Sequence, residues 1–119
     1  MGGSEVRALS FTRHLGGGDD PGQRAVFVAA CGARGWEAGC SIRQNGSGMR
    51  GLMTAVRLVV TGRYDVLVVD TLDRLAGTNA GLTAVLRLLR RSGVRLLVAC
   101  DGTDTADPVH AAVIDSLIG

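Results

Sequence analysis

Apolar residues fall in short blocks separated by polar and glycine-rich breaks, and their period changes from block to block. Val6 to Phe11 is a moderately apolar run of strand length. Asp20 then precedes Pro21, with Gln23 three residues past the aspartate. An oxygen cap, a proline at the first helical position and a capping-box partner predict a helix start. Ala25, Val26, Val28, Ala29 and Cys31 carry that helix to a stop at Gly35. Trp36 to Ile42 suits a second strand. After a polar loop, Gln44 to Arg50, a helical period returns with Leu52, Met53, Val56, Val59 and Val60 and closes at Gly62. Asp65 to Val69 is a solid apolar run without alternation, the pattern of a parallel strand covered on both faces. Thr78 or Asn79 can cap a third helix bearing Leu82, Val85, Leu86, Leu88 and Leu89, ended by Gly93. Val94 to Cys100 is a fourth strand, and Asp107-Pro108 repeats the cap-plus-proline signature for a last helix.

Strands alternating with helices predict crossover units and a parallel or mostly parallel sheet. In such sheets, chemistry collects at the carboxyl ends of the strands. Those ends are predicted at Ser10 to Asp20, Ser41 to Arg50, Asp70 to Thr78, and Cys100 to Asp107.

With 119 residues there is room for one domain, and 46% apolar against 20% charged residues excludes wholesale disorder. The 13 cationic side chains are all arginine; with 11 carboxylates they leave a net charge of +2, which permits contact with an acidic polymer without demanding it. Aromatics at 3% argue against a platform that stacks bases on rings. No apolar stretch approaches about 18 residues, so no membrane span is predicted. Met1 to Glu5 lacks the apolar core of a signal peptide, and three cysteines without paired spacing favour a reducing cytoplasm over a disulfide framework. The Gly16–Gly18 tract fails the spacing of a phosphate loop and is read as an ordinary loop.

The four strand ends offer Ser10, Arg13 and His14; Ser47 and Arg50; Asp70, Asp73 and Arg74; and Cys100, Asp101 and Asp104. A hydroxyl among guanidinium groups and a carboxylate is equipment for phosphoryl transfer, because arginine's planar fork matches phosphate oxygens and keeps its charge. No histidine- or cysteine-rich cluster favours a metal. Asp65 to Thr78, DVLVVDTLDRLAGT, resembles the strand and loop of serine recombinases of the resolvase/invertase family, whose catalytic domain carries a Leu-Asp-Arg-Leu-Gly-Arg run. Leu72, Asp73, Arg74 and Leu75 match without a gap. Arg50 is similar to the family arginine that begins its second helix, and Ser10 to the nucleophile of its Tyr-x-Arg-Val-Ser motif. Asp101 to Thr105 is similar to the turn before the family's long dimerisation helix.

The resemblance implies a single flavodoxin-like α/β domain over residues 1–119, with a mostly parallel sheet of four to five strands and helices on both faces. It implies site-specific DNA strand exchange: Ser10 attacks a phosphodiester and holds the 5′ end as a phosphoserine ester. Arg50 and Arg74 neutralise the charge at phosphorus, and Asp73 orients an arginine or handles a proton. No cofactor and no metal are implied. DNA is the partner, in a homodimer or higher oligomer.

Aligned on Ser10, the chain has Ala8 where the family has its motif arginine, and Gly77 where it has a second one. Arg13 and Arg7 are the candidate substitute phosphate contacts. Losing one preorganised charge partner costs on the order of 3–4 kcal/mol at a transition state, so cleavage is expected to be impaired. Against the family pattern, the last helix is expected to be cut short, without the DNA-binding region that the resemblance would place after it. The alternative expectation is therefore a non-cleaving module that self-associates or pairs with a full-length recombinase.

Overall fold

Period-two alternation along the first strand sets the two faces of the sheet. Within residues 6–14, 22–46 and 48–119, which the computed structural model describes, β1 (Arg7–His14) sends Leu9 and Phe11 into one apolar cluster and Ala8 into another. β2 (Glu37–Asn45), β3 (Val66–Val69), β4 (Arg95–Val98) and β5 (Thr103–Asp104) complete a sheet of order β2-β1-β3-β4-β5. β1 pairs in parallel with β2 and β3, and β3 with β4; β5 joins antiparallel. The mostly parallel α/β architecture expected from the pattern is the one observed.

Four helices cover this sheet: α1 (Gly22–Arg34), α2 (Arg50–Val60), α3 (Asn79–Arg91) and α4 (Pro108–Leu117). Phe27 and Cys31 of α1 pack on Ala8, Val66, Val68 and Leu97. On the other face, Leu52 and Val56 of α2, Val85, Leu86 and Leu89 of α3, and Ile114 of α4 pack on Leu9, Phe11, Leu67, Val69 and Leu96. β3 is buried at all four positions because it feeds both layers, which explains its unbroken apolar sequence. Thr78 caps α3 by accepting from the Gly81 amide at 3.0 Å, and Asp107 caps α4 through the Val109 amide at 2.9 Å. Gly35 and Gly93 follow their helices with φ of +71° each, as predicted for glycine stops. The Asp20-Pro21 helix start and the Gly16–Gly18 tract lie outside the described residues.

Four boundaries differ from the sequence expectation, the first being β2, which runs past Ile42 to Asn45 and takes in the start of the expected loop. β1 runs on to His14, so Ser10 sits inside the strand rather than at its end. The cause is β2: its ladder with β1 continues from Ser10↔Ser41 to His14↔Asn45, past the point where the β3 ladder ends at Ser10↔Val68. Polar residues beyond Phe11 thus remain strand because a neighbour pairs with them. β4 is shorter, closing at Val98, and Leu72–Leu75 winds into a 3-10 turn rather than an open loop.

Candidate functional site

The strand order reverses between β1 and β3, since the chain passes from β1 outward to β2 and then back to the other side of β1. A crevice at the carboxyl ends of these strands is the expected ligand site of such a sheet. Two segments meet there: residues 46 and 48–50, before and at the start of α2, and residues 70–78, containing the 3-10 turn; Ser47 lies outside the described residues.

Arg13 joins them. Its side chain is fully buried, and its five N–H donors meet five acceptors. Nε donates to the Arg74 carbonyl at 3.0 Å and Nη2 to the Leu75 carbonyl at 3.1 Å. Nη1 donates to the Gly46 and Gly48 carbonyls at 2.8 and 2.7 Å, and Nη2 also reaches Met49 Sδ at 3.8 Å. The guanidinium also stands 5.4 Å from the Phe11 ring centre. Burial lowers its pKa from the ordinary arginine value. Gly46 is suited to its place: at φ +76° it turns the chain so that its amide donates to the His14 carbonyl at 2.7 Å while its carbonyl faces Arg13.

Arg74 answers this contact, donating through Nη1 to the Arg13 carbonyl at 3.0 Å, and remains half-exposed. Asp73 is exposed and accepts from the Thr71 hydroxyl. Arg50 is exposed at the first position of α2, a helix whose cap residue, Met49, makes no side-chain cap bond. Gln44 covers one of the free amides there, accepting from Gly51 at 2.7 Å. The first turn of α2 holds no acidic residue, so a cation stands at the positive end of the helix dipole. That arrangement is unfavourable for the free helix and improves when an anion binds. A groove of about 350 Å³ beside the turn is lined by Asp73, Ala76, Gly77, Thr78, Asn79 and Leu82.

Ser10 lies elsewhere. Three positions from Arg13 on the same strand, it belongs to the opposite, α1-covered face and is 3% exposed. With Thr12, Asp70, Phe27 and Ala99 it lines a chamber of about 10 Å³, the lower limit for one water molecule and far too small for a phosphodiester. Ala8 is fully buried on that same face, so an arginine at position 8 would enter the α1 core rather than the crevice. Arg7 is remote as well: at the amino-terminal edge it pairs with Asp65 at 3.6 Å and donates to the Gly62 carbonyl at 2.7 Å. Arg7 thus lies at the opposite end of the strand from the crevice, and Arg13 has its donors engaged by acceptors of the protein.

At the fourth strand end, Asp104 forms a bidentate pair with Arg95 at 3.0 and 2.8 Å, which holds its carboxyl below the usual range. Asp101 closes a turn through the Thr103 amide at 2.9 Å. Both are occupied in holding β5. Among the described residues no group of three or more His, Cys, Asp and Glu side chains is arranged to hold a metal, and no helix is long and apolar enough to cross a membrane.

The part of Arg13 was missed because Ser10 fixed the register of the motif. The legible signal was the aromatic-x-arginine spacing at Phe11-Thr12-Arg13, five residues after Val6, whereas the register set by Ser10 has Val6 and Ala8 at those two motif positions. In that register Leu15, outside the described residues, stands two positions after the arginine where the motif has serine.

Residues 18–118 match the family described as Resolvase, N terminal domain. No curated protein matches by sequence. Among solved structures, the N-terminal catalytic domain of TP901-1 integrase is similar with a TM-score of 0.79 and 14% identity, over 93% of this chain and 90% of that one. A resolvase family site-specific recombinase from Streptococcus pneumoniae gives a TM-score of 0.74 at 18% identity, over 95% and 85%. The C-terminal catalytic domain of ISC1926 TnpA, an IS607-like serine recombinase, gives 0.64 at 22%, over 79% and 67%.

Proposed function

The chain belongs to the resolvase N-terminal domain family, and on that premise we propose that it engages the DNA phosphate backbone at the crevice without cleaving it through Ser10. Arg50 and Arg74 are the phosphate contacts, and Asp73 orients the turn that carries Arg74. Arg74 spends one donor on the Arg13 carbonyl and keeps four for phosphate oxygens. Arg50 adds a second fork at the open start of α2, where the helix dipole favours the same anion.

The observation that carries the non-cleaving half is the separation of Ser10 from these arginines by the thickness of the sheet. In-line attack on phosphorus needs the nucleophile about 3–3.5 Å from the reacting atom, in the same space as the charge stabilisers. A hydroxyl closed under α1 does not meet that need. The domain then serves as a recombinase-type module that associates with a second copy or with a cleavage-competent recombinase on DNA, rather than performing strand exchange through a phosphoserine at Ser10.

The experiment is a DNA-binding titration across salt concentrations, combined with a search for covalent adduct on nicked and supercoiled substrates. Expected are weak, sequence-independent binding, a salt slope that falls by about 0.9 for each of Arg50→Ala and Arg74→Ala, and no adduct. Binding unaffected by both substitutions, or an adduct abolished by Ser10→Ala, overturns the reading.

A further inference from the structure

Gln44 stands on β2 rather than in a loop, and strand alternation settles which way it points. Ile42, two residues earlier, packs into the apolar cluster that holds Leu52 and Val56, so Gln44 approaches α2 from the same face. Its Oε1 accepts from the Gly51 amide at 2.7 Å, and its Nε2 donates to the Asn45 carbonyl at 3.1 Å. The reversed amide would set N–H against N–H, so these two bonds fix its orientation. Two glycines make room for it. A Cβ on Gly48 would stand 3.0 Å from Nε2, and one on Gly51 would stand 2.9 Å from Oε1.

α2 has no cap of its own, because Met49 makes no side-chain bond to the amides that follow it. The oxygen comes instead from the neighbouring strand. The Gly51 amide shares one peptide plane with the Arg50 carbonyl, which accepts from the Thr54 hydroxyl at 3.0 Å. Pinned by Gln44 at one end and Thr54 at the other, this plane sets the direction in which the Arg50 side chain leaves the helix. We infer that Gln44 is a positioning residue for Arg50: it holds the first turn of α2 so that the guanidinium meets the phosphate. The inference rests on the phosphate contact proposed for Arg50. Gln44 acts through the backbone, without a DNA contact of its own.

The test uses the whole chain in three arms. The first needs no variant: in nitrogen- and carbon-labelled native protein, scalar coupling is measured across the hydrogen bond from the Gly51 nitrogen to the Gln44 side-chain carbonyl carbon. Coupling is expected with and without a short DNA duplex. Its absence overturns the inference, and so does its loss on DNA addition, which would mean that phosphate takes the amide.

The second arm is hydrogen exchange. Gln44→Leu, similar in size but without an acceptor, is expected to lower Gly51 protection about tenfold. The Ala99 amide, bonded to the Val69 carbonyl across the sheet, keeps its protection. Gln44→Glu retains the oxygen and is expected to restore protection at Gly51. Equal protection in all three proteins, or a loss spread evenly over the sheet, overturns the inference.

The third arm is a double-mutant cycle read as DNA affinity. Gln44→Leu is expected to weaken binding about two- to tenfold in the native and Arg74→Ala backgrounds, and to add nothing to Arg50→Ala. An equal loss in the Arg50→Ala background, or none in the native chain, overturns the inference while leaving Arg50 a phosphate contact. If Arg50→Ala alone changes nothing, the phosphate-contact reading fails first and the role of Gln44 falls with it.

Discussion

Ser10 and Arg13 share one strand and face opposite sides of the sheet: Ser10 is 3% exposed beneath α1, and Arg13 is fully buried between the segments that lead into α2 and through the 3-10 turn. Three residues along a strand reverse the face, so no rotamer of Ser10 brings its hydroxyl to the arginine crevice. This relationship decides which substitutions can restore or remove chemistry.

Cleavage is the first consequence. The native chain is expected to give no covalent protein–DNA adduct on denaturing gels, and Ser10→Ala to change nothing. In the register of Phe11-Thr12-Arg13, Leu15→Ser is the substitution that supplies the absent hydroxyl. Grafted to a recombinase DNA-binding region, L15S is expected to yield adduct where the unsubstituted graft yields none. Adduct from the unsubstituted graft that depends on Ser10 would return the nucleophile to position 10.

Stability follows the same division of faces. Ser10→Ala removes a hydroxyl that faces a chamber for a single water, and is expected to change unfolding free energy by less than about 1 kcal/mol. Ala8→Arg forces an unpaired charge into the α1 core, where Ala8 is fully buried, and is expected to cost about 3–5 kcal/mol or prevent folding. Urea unfolding distinguishes the two. A well-folded A8R protein would show that α1 can lift from the sheet.

Gly77 offers the opposite case. It is exposed on the groove it shares with Asp73, Thr78 and Asn79, so Gly77→Arg can add a cation without disturbing the core. DNA affinity is expected to rise, with a salt slope steeper by about 0.9, and thermal stability to remain within about 0.5 kcal/mol of the native chain. An unchanged slope would place the DNA path away from this groove.

Acid sensitivity is expected at the Arg95–Asp104 pair. Arginine hydrogen bonds hold the Asp104 pKa below its unfolded value of 3.8. The folded carboxyl binds its proton less readily than the unfolded one, so the stabilisation is complete above pH 3.8 and is lost as pH falls through the lower, folded value. Asp104→Asn is therefore expected to lose about 1–3 kcal/mol near neutral pH, with the gap to the native protein closing in acid. A gap that is constant with pH would mean that the carboxyl contributes through shape rather than charge.

The sequence by itself determined the layered architecture. Unbroken apolar residues at Val66–Val69 suited a strand covered twice, and Thr78, Asp107, Gly35 and Gly93 marked helix ends through hydrogen bonds and backbone conformations that are local. It also marked Leu72 to Leu75, Arg50 and Arg74 as the residues to watch. Tertiary structure alone decided how far β1 extends, because His14 is held in the strand by pairing with Asn45, thirty-one residues away in the chain. That extension turns Ser10 into an interior position and Arg13 into the centre of the crevice. The burial of a charged side chain among carbonyls has no signature in composition or periodicity. It arises when Gly46, Gly48, Arg74 and Leu75, distant in sequence, present their carbonyls to one guanidinium, and only the folded sheet brings them together.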